Sequence, residues 1–240
     1  MNTSPAQAQP IAGFEATHYG TLDGELLWLG EPTGVDHPRN ARKPWLPPRR
    51  GFDARGLWVG ARRCRPLIDT LPPKGLLLWL VGQPLPFPMQ QAGARFDAIR
   101  DALESNHIDA FAAAAQRVLG LGPGLTPSGD DFVGGIFFAL AHAPRAAWAG
   151  GMPALRAGIR TAARQSSNLI SAALLDDMID GASYAPLHEL LGALQDDAPA
   201  AIASAVHQLL GVGATSGADM LAGLLLALLT LPKQDTNPPS

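Results

Sequence analysis

Ser128, Asp130 and Asp131 are the residues of this chain best suited by type and spacing to do chemistry. They lie in the stretch 120–135, Gly-Leu-Gly-Pro-Gly-Leu-Thr-Pro-Ser-Gly-Asp-Asp-Phe-Val-Gly-Gly. Its glycines and prolines make the front half a loop rather than a helix. An apolar run over 132–141 follows, long enough for a buried helix. A Gly-rich loop feeding a helix start presents free backbone N–H groups, and the dipole there favours negative charge. The chemistry suggested is capture of a small anion by Gly122, Gly124, Leu125, Thr126, Ser128 and Gly129. Asp130 or Asp131 would face a metal, an ammonium or an amide group, and with Ser128 they are the candidate catalytic groups.

The stretch 211–223, Gly-Val-Gly-Ala-Thr-Ser-Gly-Ala-Asp-Met-Leu-Ala-Gly, repeats this pattern with a shorter loop. Ser128 matches Ser216, Gly129 matches Gly217, Asp131 matches Asp219 and Gly135 matches Gly223. Each copy follows Leu-Gly-x-Gly and precedes an apolar helix. Two related helix starts facing one site add Thr215, Ser216, Gly217 and Asp219 to the anion-binding set. Ser166 and Ser167, in a polar cluster ending at Asn168, could line the same pocket. Capping of a helix over 169–179 by Ser167 or Asn168 explains that cluster without a ligand.

Capping also competes at the loops. Ser128-x-x-Asp131 and Ser216-x-x-Asp219 fit a capping box, with Asp in place of the usual Glu. This suffices for the second copy. In the first, Thr126 could cap with Pro127 at the first helical position, which frees Ser128, and Asp130 has no capping role. Gly135 and Gly223 each cost about 0.5–1 kcal/mol against Ala inside a helix. A matched pair implies that the two helices cross there.

Other chemistries are poorly supported. No Lys-Ser/Thr follows the loop as in a phosphate-binding P-loop, and the preceding segment reads as helix, unlike a dinucleotide-binding unit. The six histidines show no ligand spacing, so zinc is not expected. There is no G-x-S-x-G elbow. Cys64 has no identifiable base, although Arg63 and Arg65 could lower its pKa. The residues single out no cofactor, with Mg²⁺ left open at Asp130 or Asp131.

The elements that must position these residues read as α+β. A small β-rich N-terminal domain, 1–93, contains a basic Pro/Arg loop; an all-α domain covers 94–232, and a disordered tail covers 233–240. Asp-Gly at 23–24 predicts a hairpin leading into a strand over 26–29. Further strands are expected over 56–61 and 75–81, a loop over 31–50 and a linker over 82–93. Helices are expected over 95–119, 132–141, 153–165, 169–179, 186–194, 199–210 and from the second loop to 231.

The 240 residues, 47% hydrophobic with formal net charge -3, can bury one core or a core and a satellite. One cysteine excludes an internal disulfide and suits a reducing compartment. The N-terminus lacks an apolar signal segment, and no run approaches the ~20 residues that span a bilayer. A cytoplasmic location is therefore expected, without membrane contact. Ten of the eighteen Lys and Arg fall within 39–74. This basic region could attract an anionic ligand or an acidic partner, or simply be a solvated face. Nothing forms a stacking platform for nucleic acid.

The stretch 120–134 resembles the signature of a bacterial domain-of-unknown-function family that includes AllH-type subunits of oxamate carbamoyltransferase. Thr215-Ser-Gly-Ala-Asp-Met-Leu-Ala-Gly resembles its C-terminal motif. The resemblance covers 95–231. It implies a subunit of a multi-protein system in allantoin breakdown, which interconverts oxalurate and phosphate with oxamate and carbamoyl phosphate. A non-catalytic assembly subunit, or a stand-alone enzyme on a small amide or carboxylate, stays open beside it.

Overall fold

Two helices, α5 (Ser128–His142) and α10 (Ser216–Leu229), are buried along nearly their whole lengths and cross at the centre of the molecule. Apolar residues surround both axes, the pattern of a helix enclosed on all sides. Gly135 lies against the backbone of Met220 and Gly223 against that of Phe132, so the expected glycine crossing is present. The computed structural model describes residues 9–13, 18–22, 25–28, 36–40, 51–72 and 74–236.

Each central helix is the third member of a repeated unit. The first comprises α3 (Gly93–Glu104), α4 (Ile108–Gln116) and α5; the second comprises α8 (Ala185–Gln195), α9 (Pro199–Leu210) and α10. Asn106 at φ 54° and its counterpart Asp197 at φ 51°, 91 positions later, turn the first helix of each unit into the second. The turn bonds repeat at the same offset: His107 N–H donates to Ala102 O, and Ala198 N–H to Ala193 O. Phe96 and Leu187, Ile99 and Leu190, Phe111 and Ile202, and Val118 and Leu209 are matching buried pairs. From Ser128 and Ser216 onward the offset is 88, because the first glycine loop is three residues longer. The likeness of the two loops thus extends to whole helix–helix–loop–helix units.

The other helices enclose this pair. Here α1 (Ala54–Thr70) packs on α8 and α10, while α6 (Met152–Ser166) packs on α4 and on α7 (Leu169–Ile179), which covers α5. Proline in the first turn starts α6, α8 and α9, where its missing N–H costs nothing. One continuous apolar core runs from Leu57 to Leu231, with no break near position 93.

The β portion is smaller than expected. Strands β1 (Gln9–Gly13), β2 (His18–Leu22) and β3 (Glu25–Trp28) form an antiparallel meander. Leu22 pairs with Glu25, the register of the two-residue hairpin expected there, although positions 23–24 lie outside the described residues. Tyr19 and Leu26 pack on Ile170 and Leu174 of α7 and on Leu125 of the first glycine loop. Arg39 fastens this layer: its guanidinium donates to both Asp177 oxygens, at 2.5 and 2.7 Å, and to Leu26 O at 3.2 Å.

Several expectations are corrected. The segment 56–61 is not a strand but part of α1, where Leu57, Ala61, Cys64 and Ile68 are buried at helical spacing. The segment 75–81 is a positive-φ turn at Gly75 followed by the short helix α2 (Leu77–Leu80). The helix expected over 95–119 is two, broken at Asn106. Residues 233–236 form α11 (Lys233–Thr236), packed on α1, rather than a disordered tail. Most of the loop over 31–50, including Arg42, Lys43, Arg49 and Arg50, lies outside the described residues, as do 1–8 and 237–240.

Candidate functional site

Ser128 and Ser216 are the first residues of α5 and α10, and neither helix has a side-chain cap. The capping boxes expected at 128–131 and 216–219, and the Thr126 cap, are therefore not formed. Competing bonds explain why. Gly129 N–H donates to Leu121 O at 2.9 Å, and Gly217 N–H donates to Val212 O at 3.0 Å. The amides that the capping boxes would use, those of Asp131 and Asp219, donate to Pro127 O at 3.2 Å and to Thr215 O at 2.9 Å, while the glycine loops fold back to take those of Gly129 and Gly217.

The polar side chains instead reach across the crossing. Beside Asp131 of α5 stand the hydroxyls of Ser216 and Thr126; beside Asp219 of α10 stand those of Ser128 and Thr215. Thr126 and Ser216 share a hydroxyl hydrogen bond of 2.7 Å. Each serine thus serves the aspartate of the other repeat. The structure brings Thr126, Ser128, Asp131, Thr215, Ser216 and Asp219 to one place, as the sequence pairing suggested.

Both acids are buried, Asp131 at 4% exposure and Asp219 at 0%. Burial pushes the Asp131 carboxyl well above the usual carboxylate range, and Asp219 raises it further. Burial raises Asp219 to about 6, against the opposing pull of the Leu76 N–H, the Ser128 and Thr215 hydroxyls and the Lys74 charge. The Leu76 N–H donates to Asp219 Oδ1 at 2.6 Å. A Cβ at Gly75 would stand 2.3 Å from that oxygen, so only glycine, here at φ 53°, lets the loop approach. Asp131 Oδ2 and Asp219 Oδ2 are both buried without a hydrogen-bond partner.

Asp130 faces another way. Its Oδ1 accepts from Gly120 N–H at 2.7 Å, and its Oδ2 accepts from the hydroxyls of Ser167 and, at 2.5 Å, Ser171. It joins the first loop to the α6–α7 junction, and its counterpart in the second repeat is Ala218. Asn168 caps α7 through Ile170 and Ser171 N–H, both at 3.0 Å, and donates to Leu125 O. Ser166 is exposed; its carbonyl lies against Gly120, which sits at φ 74°. Gly122, at φ 120°, lies beside Ser128, and Gly124, at φ 99°, sits at the exposed loop tip with open space around it.

Neighbouring groups escaped the sequence reading. Tyr19 and Tyr184 feel the Asp131 charge, and the Lys74 charge acts on Asp219. His37, His142 and His188 converge: the His37 ring is 4.6 Å from Tyr184 and the rings of His142 and His188 are 5.7 Å apart. Their sequence separation hides this, because each comes from a different element. All three are held neutral by burial, His37 and His188 down to about 3, and each ring makes a hydrogen bond within the chain. Among the described residues no group of three His, Cys, Asp or Glu is placed to hold a metal. Cys64 is buried and pushed up to about 11, so the flanking arginines do not activate it.

The fold defines a helical protein built on a structural repeat, with a buried serine–aspartate cluster where its two copies cross. Residues 118–228, which hold both glycine loops and both central helices, match the model of the family described as oxamate carbamoyltransferase subunit AllH. The resemblance carried by the two motifs is thereby shown over that region, just under half of the chain. No curated protein and no solved structure matches the chain. That description names a subunit. No helix of the described residues is long and apolar enough to cross a membrane.

Proposed function

We propose that this chain is a subunit of an oxamate carbamoyltransferase-like enzyme, interconverting oxalurate plus phosphate with oxamate plus carbamoyl phosphate alongside partner subunits. One observation carries the reading: the family match over 118–228 encloses the place where Thr126, Ser128, Asp131, Thr215, Ser216 and Asp219 meet. A small anionic substrate would sit at the half-buried mouth, against the hydroxyls of Thr126, Thr215 and Ser216. Attack of a phosphate oxygen on the carbamoyl carbon breaks the bond to the oxamate nitrogen, which takes up a proton. Hydroxyl donors aimed at the carbamoyl oxygen stabilise the charge that develops there. Ser128 and Asp131 line the reacting centre, and Asp130 is assigned to holding the loop. The location would be cytoplasmic.

The test is reconstitution with the partner subunits, reading carbamoyl phosphate formed from oxalurate and phosphate. Ser128→Ala with Ser216→Ala should leave the complex assembled and lower turnover at least tenfold. Undiminished turnover in that variant would remove the site from the reaction.

A second reading is favoured by the internal use of the Gly129 and Gly217 amides. On it the loops serve only to lock α5 to α10, and the chain is an assembly subunit. The exposed Arg55 and the Arg62 guanidinium, stacked 5.0 Å from the Trp58 ring on α1, would then meet an acidic partner surface. Arg55→Glu with Arg62→Glu should abolish co-purification on this reading and leave it intact if docking uses another face.

A further inference from the structure

The crossing of α5 and α10 contains an imbalance that packing does not explain. Two carboxyl groups are buried, one from each repeat, and each keeps one oxygen without a partner. Buried polar atoms are nearly always satisfied, and each exception calls for a proton, a water or an ion. Thr126, in the loop that leads into α5, and Ser216, the first residue of α10, share a hydroxyl hydrogen bond of 2.7 Å, so the two helix starts that carry these acids meet at the crossing. Lys74 is the cation whose charge acts on Asp219, but its Nζ is engaged with Leu210 O at 2.5 Å.

We infer that Asp131 and Asp219, through their unpartnered oxygens, bind one hard divalent cation at the crossing of the two repeats. The surrounding groups set its class. Two carboxylates and the hydroxyls of Thr126, Ser128, Thr215 and Ser216 make an all-oxygen set, without the nitrogen or sulfur that selects zinc or copper. Charge sets the valence. Two ionised acids carry −2, while the starts of α5 and α10 contribute about +0.5 each, leaving a net attraction for a cation. A route exists, because Thr126, Thr215 and Ser216 are half-buried and Pro123, Gly124, Gly213 and Ala214 beside them are exposed. Asp130 takes no part, since Gly120, Ser167 and Ser171 occupy its oxygens.

This deepens the anion-binding reading, because two bare carboxylates would repel phosphate and a bound cation would attract it. Binding of the cation itself does not depend on that reading. It is measured on the chain alone, whereas carbamoyl transfer is measured with partner subunits, so the two can fail separately.

The full-length chain, stripped with EDTA, is titrated at pH 8 with calcium, magnesium or potassium chloride at constant ionic strength. The expected result is saturable heat for one divalent ion per chain and a matching rise in the unfolding midpoint. Potassium should give neither. Asp131→Asn with Asp219→Asn should abolish both signals while keeping the wild-type helical circular dichroism. If that variant does not fold, Ser128→Ala with Ser216→Ala takes its place and should weaken divalent binding about tenfold. No divalent binding by the wild-type chain, or undiminished binding in the variant read, would overturn the inference.

Discussion

Gly135 and Gly223 are reciprocal: a Cβ on Gly135 would stand 2.1 Å from Met220 O, and one on Gly223 would stand 2.0 Å from Phe132 O. Each glycine makes room for the backbone of the opposite helix. The atoms it meets are main chain and cannot swing aside.

Gly135→Ala or Gly223→Ala should therefore destabilise the protein by roughly 3 kcal/mol, near the upper end of overpacking effects. Gly134→Ala is the control: its added methyl meets Met178 Cε, the end of a flexible side chain, at 2.2 Å, and should cost only about 1 kcal/mol. Urea denaturation of the three variants measures the difference. Equal midpoints for Gly135→Ala and Gly134→Ala would mean that the helices do not approach so closely.

Asp130→Ala should cost roughly 2–4 kcal/mol, since Gly120 N–H and the Ser167 and Ser171 hydroxyls lose their acceptor together. Asp130→Asn should cost less, because one amide oxygen still accepts. Hydrogen exchange at Gly120 and in the first turn of α7 reads the loss locally. Slow exchange at both sites in the alanine variant would contradict a joining role.

Acid should destabilise the fold through its buried histidines. His37 and His188 titrate near 3 in the folded chain and at 6.5 when unfolded. The unfolded state therefore binds more protons between these values, and stability present above pH 6.5 is lost as pH falls toward 3. At pH 5 the two together should cost about 4 kcal/mol. His188→Gln should roughly halve the dependence measured by denaturant titration between pH 7 and pH 5. An unchanged slope would show that His188 takes up its proton without unfolding.

Asp219 acts with the opposite sign. Its folded value near 6 lies above the 3.8 of an exposed carboxyl, so the folded chain holds the proton more tightly. Stability is lost as pH rises from about 4 to 6 and stays lost above that. Asp219→Asn keeps an oxygen for the Leu76 N–H and in metal-free buffer at pH 8 should stabilise by about 3 kcal/mol. The gain should vanish near pH 4. Destabilisation at pH 8 would mean that the ionised carboxylate is better served than its surroundings imply.

The helices from α6 to α9 were legible within about a residue, because Pro, Asn and Gly mark their ends and apolar residues recur at helical spacing. The short apolar segment 56–61 reads as a strand on its own, yet it lies within α1, where Gly60 is against the Leu194 backbone and any larger residue would clash. Within the helix expected over 95–119, Asn106 takes a positive φ that divides it into two. At the site, pairing the two loops identified the residues that meet. Their bonding was hidden because a Ser-x-x-Asp pattern is read locally, whereas Ser128 serves Asp219 and Ser216 serves Asp131. The Gly75–Leu76 clamp and the converging histidines depend on long-range packing that no local periodicity encodes.

The offset of 88 residues between Ser128 and Ser216 also sets a waiting time during synthesis. Growing at about 5–20 residues per second, a ribosome finishes α5 roughly 4–18 s before it reaches the matching point of α10. Over that interval the glycine face at Gly135 has no partner, and Ser128 has no Asp219 to serve. The first repeat therefore emerges with the Gly135 face of its most apolar helix uncovered, and that face stays open until α10 is made.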